Sequence, residues 1–266
     1  MTASSPPIPD THAHLDEVPD LEAALARAAA PGVAPILTVG SDLSSSRIAA
    51  EIARGHPGVF AAVGVSPDRL ENFDRDWEQL EPLLDQAAVL AVGEIGLDHT
   101  RSPSPRDLQL RAFRIQAQAA AARGLPISVH NREADREVLE VIAETGVRAA
   151  LHCFGGSAEF AEQALAAGCY LSFAGNLTFP RAERLREIAV EIPEDRLLIE
   201  SDSPVLSPQP WRGRPNEPGH LTATMEVLAQ IRGVEPAALA GQLMTNAKEL
   251  FGWKVPGLER PLATDR

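Results

Sequence analysis

One stretch of the chain, residues 89–98, reads VLAVGEIGLD and bears most directly on the fold. Its first half is apolar without polar alternation, which is typical of a β-strand covered on both faces by helices. Seven further short runs rich in Val, Ile, Leu and Ala recur along the chain, and the segments between them place apolar residues at helical spacing. Each run and the segment after it have about the length of one strand–helix unit. The pattern therefore predicts a parallel sheet flanked by helices.

Eight strand–helix units favour an α/β fold of one particular kind, a single (β/α)8 TIM barrel. A doubly wound sheet is the alternative, but no glycine-rich dinucleotide-binding turn follows any of the early strands. The predicted strands are Ile8 to Leu15, Ala34 to Gly40, Val59 to Val65, Val89 to Leu97, Leu125 to His130, Ala149 to Phe154, Cys169 to Ala174 and Leu197 to Ser201. The predicted helices are Leu21 to Ala30, Ser44 to Arg54, Trp77 to Gln86, Arg106 to Arg123, Arg136 to Glu144, Ala158 to Ala167, Ala182 to Glu191, about His220 to Arg232 and about Pro236 to Phe251. We expect one domain over residues 1–266, with a core from about 8 to 251 and a loose tail after Trp253.

The composition limits the classes of partner. The 266 residues carry 24 Lys and Arg against 37 Asp and Glu, a net charge of −13, which opposes a broad nucleic-acid-binding surface. With 8 Phe, 3 Trp and 1 Tyr, an extended stacking platform for single strands is also disfavoured, so any nucleic acid must be held locally. No signal-peptide pattern or membrane-spanning apolar run is present, and two cysteines suit a reducing compartment. We expect a soluble cytoplasmic protein without a membrane partner, with a monomer favoured.

Polar residues stand at the C-terminal ends of five of the predicted strands. His12 and His14 stand at positions i and i+2 of the first strand, so their side chains point to the same side. The C-terminal ends of barrel strands converge on one mouth, which brings residues from different strands together. Four of the 7 histidines in the chain fall at such ends. The candidate ligands are His12, His14, Glu94, His130, His152 and Asp202.

Imidazole and carboxylate donors without thiolate suit Zn²⁺, Mn²⁺, Fe²⁺ or, with fewer nitrogens, Mg²⁺. Six ligands exceed one tetrahedral site, whereas two ions can share a bridging carboxylate. Such ion pairs activate water and clamp the attacking and leaving oxygens of a displacement. The chemistry that these residues indicate is hydrolysis.

Seven short segments match the pattern of a known family in content, order and spacing. They are DTHAHLD (10–16), GEIGLD (93–98), VHNR (129–132), LHCF (151–154), LIESDSP (198–204), RGRPNEP (212–218) and TNA (245–247). From Ile8 to about Phe251 the chain resembles the TatD-like metal-dependent hydrolases of the amidohydrolase superfamily. The resemblance implies a TIM barrel with two divalent ions (Mg, Mn or Zn). It further implies His12, His14, Glu94 and Asp202 around one ion and Glu94, His130 and His152 around the other, with Glu94 bridging.

Three positions depart from that family pattern. The family usually has Gly-x-His-Pro after the third strand, and here residues 64–67 read GVSP, so that Ser66 stands where a histidine would face the substrate phosphate. His99 replaces a frequent tyrosine, and Ser201 replaces the usual threonine. We predict substrate contacts from Ser66 and His99, and from Arg132 and Arg212, whose guanidinium groups can hold a phosphate in a bidentate fork. Residues 203–219 carry five prolines and are predicted to form a stiff loop over the mouth.

Three functional hypotheses follow. The first is a two-metal deoxyribonuclease or phosphodiesterase that removes nucleotides from a strand end, with Asp202 as proton acceptor and Glu94 as the bridging catalytic carboxylate. The second is an amide or ester hydrolase such as a D-aminoacyl-tRNA deacylase, because the same water can attack a carbonyl. The third, prompted by Ser66, is a metal-binding scaffold without activity. The expected partners are nucleic-acid ends or a small phosphoester or amide.

Overall fold

The computed structural model describes residues 6–253, and these form a (β/α)8 barrel. Each strand pairs in parallel with the next, in the order β1 to β8. The end of β8 returns to β1, where Asp202 N–H donates to His12 O (2.9 Å) and His14 N–H donates to Ser203 O (2.7 Å). The strands are β1 Ile8–Ala13, β2 Val33–Val39, β3 Val59–Val63, β4 Val89–Asp98, β5 Ile127–Arg132, β6 Ala149–Leu151, β7 Tyr170–Phe173 and β8 Leu197–Ile199. This sequential order confirms the predicted barrel, because a doubly wound sheet reverses its strand order.

Helices follow the strands on the outside of the barrel. They are α1 Leu21–Ala29, α2 Leu43–Gly55, α3 Phe73–Leu80, α4 Arg106–Arg123, α5 Asp135–Thr145, α6 Ala158–Ala166, α7 Glu183–Glu191, α8 Leu221–Arg232 and α9 Pro236–Phe251. Eight of them lie close to their predicted bounds. The prediction of a third helix over Trp77 to Gln86 is wrong in its bounds. The helix α3 starts four residues before Trp77 and ends at Leu80, and a 3-10 turn over Glu81–Asp85 follows. Pro82 lacks an N–H for the helical ladder, so the α-helix stops before it.

Six of the predicted strands extend past the end of the observed strand, and three of these bear on the candidate ligands. β1 stops at Ala13, β6 at Leu151 and β8 at Ile199, so His14, His152 and Asp202 follow their strands instead of ending them. Asp202 adopts a left-handed backbone with φ of 52°. Apolar composition does not reveal where the ladder stops, because the buried segment continues into the mouth of the barrel.

The last helix covers the N-terminal end of the barrel. The Asn246 amide of α9 donates to the carbonyls of Glu194 (2.6 Å) and Leu197 (2.8 Å), at the start of β8. Phe251 and Trp253 stack at 5.3 Å and belong to an apolar cluster with side chains of six strands. One end of the barrel is therefore closed by packing, and the polar strand ends open at the other.

The long connection between β8 and α8 is held by a buried asparagine. Asn216 donates to Ser201 O (2.7 Å) and Val205 O (2.8 Å), and its own N–H donates to Pro204 O (2.8 Å). Between Ile199 and Leu221 the only regular element is a 3-10 turn at Pro218–His220, within the part of the chain described. This confirms a proline-rich loop beside the mouth. The predicted C-terminal tail lies outside the described residues.

Over residues 6–253, no helix combines the length and apolar composition that crossing a membrane would require.

Candidate metal centre

The two histidines of the first motif face each other at the barrel mouth. His12 is fully buried, and its Nε2 lies 3.3 Å from His14 Nε2. On the far side of the rings, His12 Nδ1 contacts Ser128 Oγ (3.0 Å), and His14 Nδ1 donates to Val39 O (2.9 Å). A carbonyl oxygen only accepts, so neutral His14 carries its proton on Nδ1 and presents the Nε2 lone pair to the centre.

Glu94 lies between two groups of histidines. Its Oε1 is 2.8 Å from His130 Nδ1 and 3.0 Å from His152 Nε2, whereas its Oε2 is 3.8 Å from His14 Nε2. Burial opposes ionisation of this carboxyl, yet His152 and His130 hold the pKa of Glu94 well below its usual range. A charged carboxylate with one oxygen toward each group is arranged as a bridging ligand would be.

Acidic residues hold the outer nitrogens of the other two histidines. Asp98 Oδ2 lies 3.3 Å from His130 Nε2, and Glu200 Oε1 lies 3.4 Å from His152 Nδ1. Burial by itself would lower the pKa of His152, but Glu94 and Glu200 raise it well above its ordinary value. Such outer carboxylates orient a ligating imidazole and increase its basicity.

These outer partners were missed at the level of sequence. Asp98 and Glu200 stand inside the motifs GEIGLD and LIESDSP, close in sequence to the candidate ligands Glu94 and Asp202. An acidic residue at a strand end could have indicated a partner for a ligating histidine. Ser128 precedes His130 by two residues on β5, so the period of a strand places it on the same face.

Asp202 completes the group from the end of β8. Its Oδ1 lies 3.8 Å from His14 Nε2, and one of its oxygens falls within 4.8 Å of ring nitrogens of His12 and His152. Burial raises the pKa of Asp202 to about 7, and the nearby Glu200 carboxylate adds to the shift.

All six candidate ligands therefore meet at the mouth, in three overlapping sets of ligand atoms. The sets are His12, His14 and Glu94; Glu94, His130 and His152; and His12, His152 and Asp202. Imidazole nitrogens and carboxylate oxygens that converge in this way fit a divalent metal ion.

A central cleft of about 330 Å³ opens beside these ligands. His14, Glu94 and His130 line it, and so does Ser66. The Ser66 side chain is already engaged, because its hydroxyl donates to Asp68.

The other three predicted substrate residues lie in different surroundings. Arg132 borders a neighbouring cavity together with His152. The Arg212 guanidinium lies 4.1 Å above the ring of Phe179, farther along the same face. His99 is not brought to the cleft lining: its side chain is 5% exposed, with Nε2 at 3.4 Å from the Glu137 carboxylate of α5.

A (β/α)8 barrel that gathers four histidines and two carboxylates at the C-terminal ends of its strands is the framework of a metal-dependent hydrolase. Comparison with known proteins specifies the family. A model described as TatD related DNase matches residues 9–252, and the chain belongs to this family.

Relatives and solved structures agree with the assignment. The chain is 39% identical over 249 residues to the uncharacterized metal-dependent hydrolase YabD of Bacillus subtilis, covering 91% of this chain and 98% of that protein. It is 36% identical to the 3′-5′ ssDNA/RNA exonuclease TatD of Escherichia fergusonii, over 88% of this chain and 93% of the relative. The crystal structure of the TatD homologue YJJV from Escherichia coli superposes with a TM-score of 0.88 at 30% identity, covering 93% of this chain and 98% of the other.

Proposed function

We propose that the protein is a divalent-metal-dependent exonuclease that removes nucleotides from the 3′ end of single-stranded DNA or RNA. The observation that carries the proposal is the position of Glu94, with one carboxylate oxygen toward His130 and His152 and the other toward His14. Such a carboxylate suits a pair of ions across an in-line displacement at phosphorus. The relative from Escherichia fergusonii, named a 3′-5′ ssDNA/RNA exonuclease, supports the substrate and the direction.

The residues divide into two ligand sets in this proposal. His12, His14, Glu94 and Asp202 would hold one ion, and Glu94, His130 and His152 would hold the second. Divalent ions bound there would supply Lewis-acid stabilisation of the phosphate and a lowered pKa for water.

The chain's own groups would orient the ligands and move the proton. Val39, Asp98 and Glu200 contact the outer nitrogens of the histidines and keep the inner nitrogens toward the centre. Asp202 would accept the proton of the attacking water. Its carboxylate lies beside the ligand nitrogens, with Oδ1 3.8 Å from His14 Nε2, and a general base must be within hydrogen-bond reach of the proton that it takes.

The proposal is tested by single-turnover digestion of oligonucleotides that carry a 5′ label. With Mg²⁺, Mn²⁺ or Zn²⁺ added, we expect a ladder of products shortened from the 3′ end, on single-stranded DNA, RNA or both. The Glu94→Gln protein is the control for contaminating nucleases. Absence of cleavage with protein of verified metal content contradicts the proposal, and so does internal cutting. Hydrolysis of an aminoacyl-tRNA ester with a larger rate constant would favour the deacylase hypothesis.

A further inference from the structure

A groove lined by arginines leads away from the metal centre, on the side of β5, β6 and α7. We propose that this arginine groove binds the backbone phosphates of a single nucleic-acid strand, several nucleotides away from the one being removed. The groove is defined by Arg132, Arg181, Arg184 and Arg212, with Phe179 and the Gly155–Gly156 pair on its walls. The inference rests on the proposed function, since it extends the binding site of the same substrate.

Two adjoining cavities make a continuous path. The inner one, of about 420 Å³, is bordered by His152 and Arg132, and the outer one, of about 590 Å³, by Arg181, Arg212 and Phe179. They share Arg184 and the two glycines. A side chain at Gly155 would enter the open groove, because the nearest atom to a Cβ built there is 3.8 Å away. The two cavities therefore adjoin between a ligand histidine and the outer arginines.

The outer cavity is cationic in a protein whose net charge is −13. Three arginines line it and no carboxylate does. Within residues 6–253, none of the four groove arginines forms an ion pair with an acidic side chain, whereas Arg27, Arg111 and Arg114 each do. Guanidinium groups left unpaired at one place are available for an anionic ligand.

A second surface cavity shows that the excess of unpaired arginines is a local feature of the outer cavity. The cavity between α2 and α3 also contains three arginines, but five carboxylates accompany them. Arg75 there pairs with Asp76 at 3.0 Å. Its charge is therefore neutralised within the protein, unlike that of the outer cavity. The inner cavity of the groove carries two carboxylates, Glu133 and Asp135, beside Arg132 and Arg184.

The groove combines cations with apolar walls. The Arg212 guanidinium carbon lies 4.1 Å from the centre of the Phe179 ring, and this cation–π contact leaves its N–H groups available to a phosphate. Pro180, Leu185 and Ile188 supply apolar surface beside it. A single nucleic-acid strand exposes both its phosphates and its bases. The guanidinium groups suit the phosphates, and the apolar walls suit the bases. We therefore expect longer substrates to gain binding energy that a dinucleotide lacks.

The test measures binding without catalysis, by the fluorescence anisotropy of 5′-fluorescein-labelled (dT)12 in EDTA between about 0.05 and 0.3 M salt. Each phosphate-bound cation contributes about 0.7 to the slope of log K against log salt concentration for single strands. The variant R181Q/R184Q/R212Q should lower that slope by about 2 and weaken binding on the order of 100-fold at 0.1 M salt. The matched control R54Q/R75Q/R123Q removes the same charge away from the groove and should change the slope by less than one such cation.

A second variant tests the arginine groove by adding a negative charge and leaves all four arginines in place. Gly155 lines both cavities of the groove, and a Cβ has space there. Gly155→Glu should also weaken (dT)12 binding, because its carboxylate repels the phosphates. The circular dichroism spectrum of each variant establishes that it is folded. Binding of (rU)12 with similar affinity would indicate recognition of the backbone common to RNA and DNA, and selective binding of one would narrow the substrate.

Equal slopes and affinities for wild type and both groove variants would overturn the inference. So would a loss of binding in the control that matches the loss in R181Q/R184Q/R212Q. The outcome is separate from that of the proposed function: absence of hydrolysis with added metals contradicts the exonuclease but leaves the binding measurement interpretable.

Discussion

At the scale of single residues, the centre is defined by what holds the outer nitrogen of each histidine. Ser128, Val39 O, Asp98 and Glu200 contact the outer nitrogens of His12, His14, His130 and His152, respectively. A carbonyl or a carboxylate on that side keeps a proton there and leaves the inner nitrogen free to bind metal. Ring orientation is thus determined before any ion binds.

The role of Asp202 is tested by its conversion to asparagine, which keeps the volume but removes the charge and the proton acceptor. We expect the single-turnover rate constant of Asp202→Asn to fall at least about 100-fold, the lower range of general-base effects. Its thermal unfolding should show a folded protein. Asp195→Asn, an exposed change in the 3-10 turn before β8, is the control and should leave the rate unchanged. A near-normal rate for Asp202→Asn would exclude it as the base.

Ser66 offers a gain-of-function test. Its hydroxyl lies on the cleft and donates to Asp68, so it cannot supply charge to a phosphate. Ser66→His should raise kcat/KM on an oligonucleotide by about tenfold, the size of a charge-assisted hydrogen bond. The gain should be concentrated below about pH 7, where imidazole is protonated. Kinetics unchanged between about pH 5.5 and 8 would mean that position 66 only supports the turn.

At the scale of the elements, the contact between β4 and β5 decides where two ligands stand. Gly96 has a φ of 139°, and a Cβ at this position would clash with the backbone carbonyl of His130. Both the conformation and the close approach require glycine. The ladder that positions His130 next to Glu94 therefore depends on a residue without a side chain.

Gly96→Ala should destabilise the protein by about 2–6 kcal/mol, the sum of backbone strain and overpacking. Gly146→Ala, at a φ of 64° with no neighbour within 4 Å, provides the matched control with strain alone, about 1–2 kcal/mol. Urea unfolding measures both. If Gly96→Ala and Gly146→Ala lose the same free energy of unfolding, the close approach of β4 to β5 adds nothing to the cost of a side chain at position 96.

A histidine joins the first two helices and makes their packing sensitive to pH. His56 Nε2 lies 2.8 Å from the Glu22 carboxylate of α1, and Nδ1 donates to Ile52 O of α2. The Glu22 hydrogen bond raises the pKa of His56, and the Ile52 carbonyl adds to it. A raised folded-state pKa means that the stabilisation is complete below the unfolded pKa, about 6.5, and is lost as pH rises through the folded value.

Glu22→Gln should therefore reduce the free energy of unfolding more at about pH 5.5 than at about pH 8.5. Urea denaturation at the two pH values provides the measurement. Glu51→Gln, an exposed change on α2, is the control and should show no difference between them. A loss in Glu22→Gln that is the same at both pH values would contradict the assigned ion pair.

At the scale of the whole molecule, barrel closure brings the first and last strands to one site. Asp202 N–H donates to His12 O, so ligands from β1 and from beyond β8 stand side by side. A ligand that binds only this folded arrangement stabilises the fold by mass action. Metal binding at this centre would therefore be coupled to folding.

Divalent metal should raise the melting temperature of the chelator-treated protein. At about 100 times the Kd the gain is about 2.7 kcal/mol, which corresponds to about 5–10 °C for a chain of this size. Glu94→Gln should remove most of the shift because two of the three candidate ligand sets include this residue, whereas Glu162→Gln on the outside of α6 should keep it. A wild-type melting temperature that does not respond to Zn²⁺, Mn²⁺ or Mg²⁺ would contradict the metal centre.

The sequence alone determined the order of strands and helices and the six polar residues that meet at the mouth. Apolar runs and helical spacing are local patterns, and in a barrel every strand end leads to the same place. Ligand-type residues at strand ends, such as His130 in β5, could therefore be grouped without any knowledge of distances.

Only the tertiary structure decided which partners the candidate ligands have and which arginines line the proposed groove. The contacts of Glu200 with His152, and of Arg212 with Phe179, join residues far apart in the sequence. His99 illustrates the limit: its place at the end of β4 was evident, but the direction of its ring toward Glu137 was not. The reason is physical, since periodicity reports which residues are buried, whereas the packing of neighbouring elements determines which side chains face one another.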